Sequence, residues 1–121
     1  KPNSSCDQLA GLLTPTIDPI QDPFNLDTAI LQGDCLEVTY TYGGGCGETR
    51  MSLSGIHSDT EQYPPYLSAL LHFADKDSCE ALKTKTESFD VTPFRKEGYS
   101  EITIGLSGNN QSYTFLYKYW L

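Results

Sequence analysis

The clearest pattern in this sequence is an alternation of apolar and polar residues with a period of two. In residues 35–42 the apolar side chains fall on one face of an extended chain and the polar ones on the other. The apolar positions are Leu36, Val38, Tyr40 and Tyr42. This spacing is typical of a β-strand with one buried face. Glycines follow at 43–45 and at 47, so we predict that the strand ends there.

Further strands are predicted along the rest of the chain. Alternation resumes at residues 50–54, and residues 66–73 are almost continuously apolar, which favours a strand buried on both faces over a short helix. Residues 101–106 and 113–119 flank a segment containing Gly and Asn, which predicts a β-hairpin. Short strands separated by frequent turns predict an all-β, antiparallel β-sandwich, immunoglobulin-like or related, of about seven strands and stabilised by disulfides.

The first 26 residues follow a different pattern. They contain four of the seven prolines, a density that disfavours a long helix or a central strand, while apolar residues recur every three or four positions. We therefore predict a proline-rich arm over residues 1–26 that lies against a single β-sandwich domain over residues 27–121. A short helical turn within residues 7–13 is compatible with the spacing in the arm.

Length and charge narrow the classes of function. The 121 residues suffice for one domain with its own core. The formal net charge of -8 leaves no basic surface for phosphate groups, so neither nucleic acid nor an anionic membrane is an expected partner. Residues 1–49 carry seven acids and one base, a net charge of -6, whereas residues 50–121 carry nine acids and seven bases, a net charge of -2. An acidic arm that docks on a neighbouring subunit is therefore one hypothesis for its role.

The cysteines indicate the compartment. They stand at positions 6, 35, 46 and 79, without the short spacing of zinc ligands. An even number of widely spaced cysteines in a small acidic chain is typical of disulfides in an exported protein. Three pairings are open; we favour Cys46 with Cys79, because both follow turn-rich segments, which leaves Cys6 for Cys35. We expect a monomer in the periplasm, on the cell surface or outside the cell.

The sequence also gives information about how the protein is targeted and whether it is anchored in a membrane. It contains no apolar run long enough for a transmembrane helix, and its first residues are polar, unlike those of a signal peptide. We expect a chain from which a targeting segment has been removed. Attachment through a lipid on that segment stays open.

No residues are spaced as a catalytic site, and we expect neither catalytic residues nor a cofactor. His57 lies in a polar loop and His72 at the end of an apolar run, which favours structural positions over a catalytic role. Asp75, Asp77 and Glu80 carry carboxylates of the kind that calcium prefers. The loop lacks the glycine and the terminal glutamate of a calcium-binding loop, so we favour a solvated turn and expect no metal.

Surface residues of the β-rich segments are the candidates for partner binding. Alternate residues at 113, 115, 117 and 119 are aromatic, which predicts a stripe facing the core. Trp120 follows that stripe and is expected to expose its ring for stacking on a sugar or a partner. The remaining candidates are Glu48, Arg50, His57 and His72.

Several short motifs resemble those of a known group of proteins. They are residues 34–40, the Gly-Gly-Cys at 44–46, the Leu-His pair at 71–72, the Asp-Ser-Cys at 77–79 and residues 89–91. Over roughly residues 30–95 the chain resembles small uncharacterised bacterial exported or lipid-anchored proteins, in which a strand ending in Gly-Gly-Cys precedes a His-containing strand and an Asp-x-Cys. The resemblance implies a β-rich fold and a bridge between Cys46 and Cys79. It implies no activity.

Two classes of function follow from these observations. The leading interpretation is an exported or cell-envelope accessory protein, a non-enzymatic module that binds a carbohydrate or protein partner, because disulfide spacing and β patterning occur without a catalytic grouping. The alternative is a small secreted hydrolase or protease inhibitor that acts through loops 43–49 and 56–63.

Overall fold

The protein is all-β, as predicted. The computed structural model describes residues 6–12, 22–44, 48–59, 61–75, 81–108 and 111–119. These residues form nine strands and no α-helix, with one short 3-10 turn at Thr92–Phe94. The strands are β1 (Gln8–Leu9), β2 (Gly11–Leu12), β3 (Asn25–Gln32), β4 (Cys35–Gly44), β5 (Thr49–His57), β6 (Tyr66–Asp75), β7 (Ala81–Asp90), β8 (Glu101–Ser107) and β9 (Ser112–Lys118).

The strands form two mixed sheets. One has the order β1-β7-β4-β3 and the other the order β2-β5-β6-β8-β9. The pairs β1–β7, β2–β5 and β6–β8 are parallel, and the predicted β8–β9 hairpin is antiparallel. The prediction of an antiparallel arrangement of about seven strands is corrected on both points. Because β7 belongs to the opposite sheet, the chain crosses over between β6 and β8, and such a crossover brings the second strand back in the same direction.

A single core lies between the two sheets. The apolar face predicted on β4 is buried at every position, including Leu36 and Tyr40 at 0% exposure. From the opposite sheet, the ring of Phe73 on β6 packs 5.5 Å from the ring of Tyr40 at an angle of 68°. Strand β6 is buried on one face only, since Ser68 is exposed and His72 half-buried. The prediction of burial on both faces was therefore too strong.

The described part of the arm connects the two sheets. Strand β1 pairs with β7, and two residues later β2 pairs with β5. The backbone N–H of Ala10 donates to the carbonyl of Asp90 at 2.9 Å. The helical turn suggested for this segment is therefore wrong for its described residues, because their backbone groups bond to neighbouring strands. The division between an arm ending at residue 26 and a domain starting at residue 27 stays a prediction, although β3 begins at Asn25.

A disulfide fixes the start of this segment. Cys6 is bonded to Cys35, with the two Cα atoms 5.7 Å apart. The predicted bond between Cys6 and Cys35 is thus confirmed. Cys46 and Cys79 lie outside the described residues, so the bond between them stays a prediction. The described residues include no helix that is both long and apolar enough to span a membrane.

Candidate functional site

The binding candidates chosen from the sequence lie in separate places. Arg50 is exposed near the start of β5, and Glu48 is exposed just before that strand. His57 ends β5 and pairs in register with Leu67, five residues before His72 on β6. Five residues of strand span about 17 Å, so the structure does not bring the two histidines together.

The loops named in the hydrolase or inhibitor hypothesis are also far apart. The segment 43–49 leads into the first residue of β5, and the segment 56–63 leaves from its last residue. The nine residues of β5 separate them by about 26 Å. The described residues where the two loops meet β5 therefore lie at opposite ends of that strand.

Each histidine ring has one buried nitrogen without a hydrogen-bond partner among the described residues. Nδ1 of His57 and Nε2 of His72 are buried without a hydrogen-bond partner in the part of the chain that the structure describes. Burial lowers the pKa of both rings below their ordinary value of 6.5, and the charge of Lys96 lowers the pKa of His57 further. Both shifts favour the neutral form of the rings.

Four other candidates lie wholly or partly outside the described residues. Trp120, Asp77 and Glu80 lie outside the described residues, and the side chain of Asp75 is likewise outside them. Within the described ranges, no three His, Cys, Asp or Glu side chains are grouped so that they could hold a metal ion.

A groove at one end of the five-stranded sheet is the best-formed candidate site. It lies where β5 and β9 end and where β6 and β8 begin, and its volume is about 640 Å³. Residues 95–100 and Tyr119 line it. We call this groove, together with the ring of Tyr63 that stacks on Tyr99, the tyrosine groove.

Hydrogen bonds from Tyr119 hold the loop of the groove in place. The hydroxyl of Tyr119 accepts from the backbone N–H of Lys96 at 3.0 Å and donates to the carbonyl of the same residue at 3.1 Å. The backbone N–H of Tyr119 donates to the carbonyl of Ser100. One tyrosine thus fixes both ends of the loop against the last strand.

Aromatic rings and cations alternate along the wall of the groove. The rings of Tyr63 and Tyr99 are stacked with centroids 6.3 Å apart and 27° between their planes. Nζ of Lys96 lies 5.8 Å from the ring centroid of Tyr99, and the guanidinium of Arg95 lies 5.3 Å from that of Tyr119. These distances are within the range of cation–π attraction. The site therefore offers flat apolar faces with positive charge beside them.

The base of the groove is anchored to the turn between β3 and β4. Arg95 donates from Nε to the hydroxyl of Tyr117 at 3.2 Å and from its terminal nitrogen to Asp34 at 3.0 Å. The hydroxyl of Tyr117 donates to the same carboxylate oxygen. Burial, followed by this bond to Asp34, raises the pKa of Tyr117. The hydrogen bond to Tyr117 in turn raises the pKa of Arg95, so the guanidinium remains charged.

The outer end of the groove is held more loosely. The hydroxyl of Tyr63 donates to the carboxylate of Glu101 at 2.9 Å, and this bond raises the pKa of Tyr63. Its ring is nevertheless 67% exposed, and that of Tyr99 is 40% exposed. Two stacked aromatic rings are thus presented to solvent on a polar support.

Most residues of this site were not predicted from the sequence. Only His57 was named, and it lies close enough to Lys96 for the two charges to interact. Tyr119 was assigned to the core, and it does pack against the core while also lining the groove. Tyr63, Tyr99 and the cations had not been selected. For Tyr99 and the cations, the one local signal is a pair of basic residues, Arg95 and Lys96, between two aromatic residues at 94 and 99.

Comparison with known proteins identifies related structures. No protein-family model matches this sequence, and no curated protein sequence matches it significantly. Among solved structures, the fold is similar to a protein of unknown function, DUF1344, from Bacteroides vulgatus, with a TM-score of 0.61, 15% identity and 94% of this chain covered. It is also similar to a NigD-like immunity protein from Bacteroides caccae, with a TM-score of 0.61, 13% identity and 92% of this chain covered.

These similarities concern the fold. The chain spans 56% of the length of the Bacteroides vulgatus protein and 64% of that of the Bacteroides caccae protein. The matched region is therefore one part of each of those longer chains.

Proposed function

We propose that this protein is a non-enzymatic exported domain that binds a partner protein through the tyrosine groove. Export is supported by the disulfide between Cys6 and Cys35, since such bonds persist in oxidising compartments. A protein partner is supported by the neighbour described as an immunity protein. The periplasm, the cell surface and the extracellular space all fit this proposal.

The observation that carries the proposal is the exposed stack of Tyr63 and Tyr99. Most large apolar side chains of the described residues are buried, whereas these two rings face solvent side by side. Aromatic residues and arginine are enriched at the centres of protein interfaces, where they bury much area at a small cost in conformational entropy. An exposed, stacked pair of rings with cations beside it fits that description.

A protein is a better fit than a sugar because of the two cations. Lys96 and Arg95 lie on tyrosine rings, where they suit the carboxylates and carbonyls of a polypeptide. A neutral sugar would use the ring faces and offer no counter-charge to Lys96, whereas the charge of Arg95 is already paired with Asp34. Binding to a carbohydrate is therefore an outcome that the test must be able to reveal.

The test compares partner capture by matched variants. The protein carries an affinity tag and is produced in its natural cells, where bound proteins are cross-linked and identified. The double variant Tyr63→Ser with Tyr99→Ser removes the exposed rings, and we expect recovery of the partner to fall about tenfold or more. The control is Leu116→Ser, which removes an exposed apolar side chain from the outer face of β9.

Two results would contradict the proposal. One is that the double variant and Leu116→Ser recover the same proteins as the unmodified chain. The other is that the unmodified chain binds members of a glycan array and the double variant does not, which would assign the groove to a carbohydrate.

A further inference from the structure

Strand β7 has a second neighbouring strand only at its end. On one side it pairs with β4 along its whole length, from Ala81 to Asp90. On the other side β1 pairs with Phe89 and Asp90 alone. Among the described residues, no strand lies beside residues 81–87 on that side. We call residues 82–86 on this side the open edge.

The backbone groups along the open edge point outward. The carbonyls of Ser88 and Asp90 accept hydrogen bonds from the arm, from the N–H groups of Asp7 and Ala10. In an extended strand with an antiparallel neighbour, alternate residues direct both their N–H and their C=O to the same side. The N–H and C=O groups of Leu82, Thr84 and Thr86 therefore face the same side as those of Ser88. These three residues offer six backbone groups to an additional strand.

The described start of the arm is tied to the strand on the far side of β7. Cys6 lies just before β1 and is bonded to Cys35 on β4, which is on the opposite side of β7. Residues 81–86 are all exposed, and Leu82 is 79% exposed.

The side chains beside the open edge are positively charged. The hydroxyls of Thr84 and Thr86 bond to threonines of β4 on the outer face, so Lys83 and Lys85 face the opposite sheet. Nζ of Lys85 donates to the hydroxyl of Thr49 on β5 at 3.2 Å. Lys85 and Arg50 line a groove of about 630 Å³ between β5 and β7. Within the described residues none of these cations forms an ion pair.

The acid in this groove, Glu87, already accepts two hydrogen bonds. The carboxylate of Glu87 accepts from the hydroxyl of Tyr40 and from the amide of Gln8, the second of these at 2.6 Å. Two of the eight basic residues of a chain with a net charge of -8 line this groove together with one acid, so the groove is net positive, and Lys83 lies two residues before Lys85 on the same face of β7. An incoming strand would meet positive charge.

We propose that the open edge of β7 binds an extended acidic segment of a protein partner as an added strand. Main-chain hydrogen bonds to residues 82, 84 and 86 supply the attachment, and carboxylates of the segment lie against Lys83, Lys85 and Arg50. A second copy of this chain is a poor occupant, because edge-to-edge pairing would place lysines of one copy against lysines of the other. The lysines therefore disfavour self-association through this edge and favour binding of an acidic strand.

The test uses synthetic peptides and nuclear magnetic resonance of the whole chain. A ten-residue peptide of alternating Thr and Glu is added up to about 1 mM, and a peptide of alternating Thr and Lys serves as the charge control. We expect the acidic peptide to shift the amide signals of Leu82, Thr84 and Thr86 and to slow their hydrogen exchange. The basic peptide is expected to leave them unchanged.

Two variants separate the parts of the proposal. Thr84→Pro removes one edge N–H, which an edge strand tolerates, and is expected to weaken binding about tenfold or more; Thr84→Val keeps that N–H and is the matched control. The double variant Lys83→Gln with Lys85→Gln is expected to remove the preference for the acidic peptide. The spectrum of each variant without peptide shows whether it is folded.

Three outcomes would overturn the proposal. The first is no change at the open edge with the acidic peptide, and the second is equal binding of both peptides. The third is a dimer in sedimentation that Thr84→Pro abolishes, because a second copy would then occupy the edge. The double variant Tyr63→Ser with Tyr99→Ser should bind the peptide normally, so this test is independent of the tyrosine groove.

Discussion

The two lateral edges of this molecule join the same two sheets in different ways. At one edge, formed by β3 and β9, side chains of one sheet bond directly to the backbone of the other. The amide of Gln111 donates to the carbonyl of Leu26 at 3.0 Å, and the hydroxyl of Tyr113 donates to the carbonyl of Asp27 at 3.2 Å. At the other edge, formed by β7 and β5, a chain segment bridges the gap by pairing first with one sheet and then with the other.

The difference has a physical consequence. Side-chain bonds can be spread along an edge, so β3 and β9 are held together wherever such residues occur. A crossing segment covers only its own length, and β1 and β2 contribute two residues each. Beyond that length β7 and β5 are joined by the side-chain bond from Lys85 to Thr49, and a groove forms between them. Because β1 and β2 join the two sheets at one end of this edge only, the rest of the edge has space for a partner.

We call the edge formed by β5 and β7 the bridged edge. The largest expected effect is the loss of stability when the disulfide at this edge is removed. Replacement of Cys6 and Cys35 by serine removes a cross-link between residues 29 apart in sequence. In the chain-entropy model this lowers the free energy of unfolding by about 3 to 4 kcal/mol. Urea denaturation under non-reducing conditions measures this loss of free energy. An unchanged midpoint would mean that the crossing segment is held by its strand pairing alone.

An intermediate effect on the free energy of unfolding is expected when one glutamine is replaced at each edge. Gln8 spans the bridged edge, since its amide donates to the carbonyl of Met51 at 2.9 Å and to the carboxylate of Glu87. Gln111 spans the other edge with one bond to a carbonyl. We expect Gln8→Ala to cost about 1 to 2 kcal/mol and Gln111→Ala about 0.5 kcal/mol, because bonds to charged groups contribute more. Equal costs in urea denaturation would break the comparison.

The smallest expected effect is a dependence on pH. His57 and His72 lie on β5 and β6, and burial lowers the pKa of both below 6.5. The folded protein therefore binds fewer protons on these rings than the unfolded chain, so the free energy of unfolding falls as the pH drops through 6.5. The double variant His57→Gln with His72→Gln should lose less stability than the unmodified chain between pH values of about 7.5 and 5.5.

Hydrogen exchange would locate that effect. Amides of β5 and β6 should lose protection at acidic pH before those of β8 and β9, because the titrating rings are on the former pair. Simultaneous loss in both pairs would indicate that the two edges do not open independently.

Local patterns predicted the strands better than their arrangement. The alternation along β4 identified its buried face because burial on one side of a strand has a period of two. The same pattern says which face is buried and nothing about which strand lies beside it, so the parallel pairing of β6 with β8 was missed. Strands of two residues, such as Gln8–Leu9, are too short to show any period.

The candidate site was harder to predict for a related reason. Tyr63, Tyr99 and Tyr119 come from three separate segments and meet only because β6, β8 and β9 share one end of a sheet. A single sequence has no signal for such a meeting. His57 was selected for its chemistry, and its place near the groove follows from the end of β5.

The bond between Cys6 and Cys35 also determines how the molecule would carry a mechanical load. A pull on residue 6 passes through a covalent link into β4, which has a strand on both sides in its sheet. The short pairings of β1 and β2 lie beyond that link and are not peeled apart. Tension applied at this end of the domain is therefore borne by the longest run of strand pairing in the four-stranded sheet, and the open edge of β7 keeps its shape under strain.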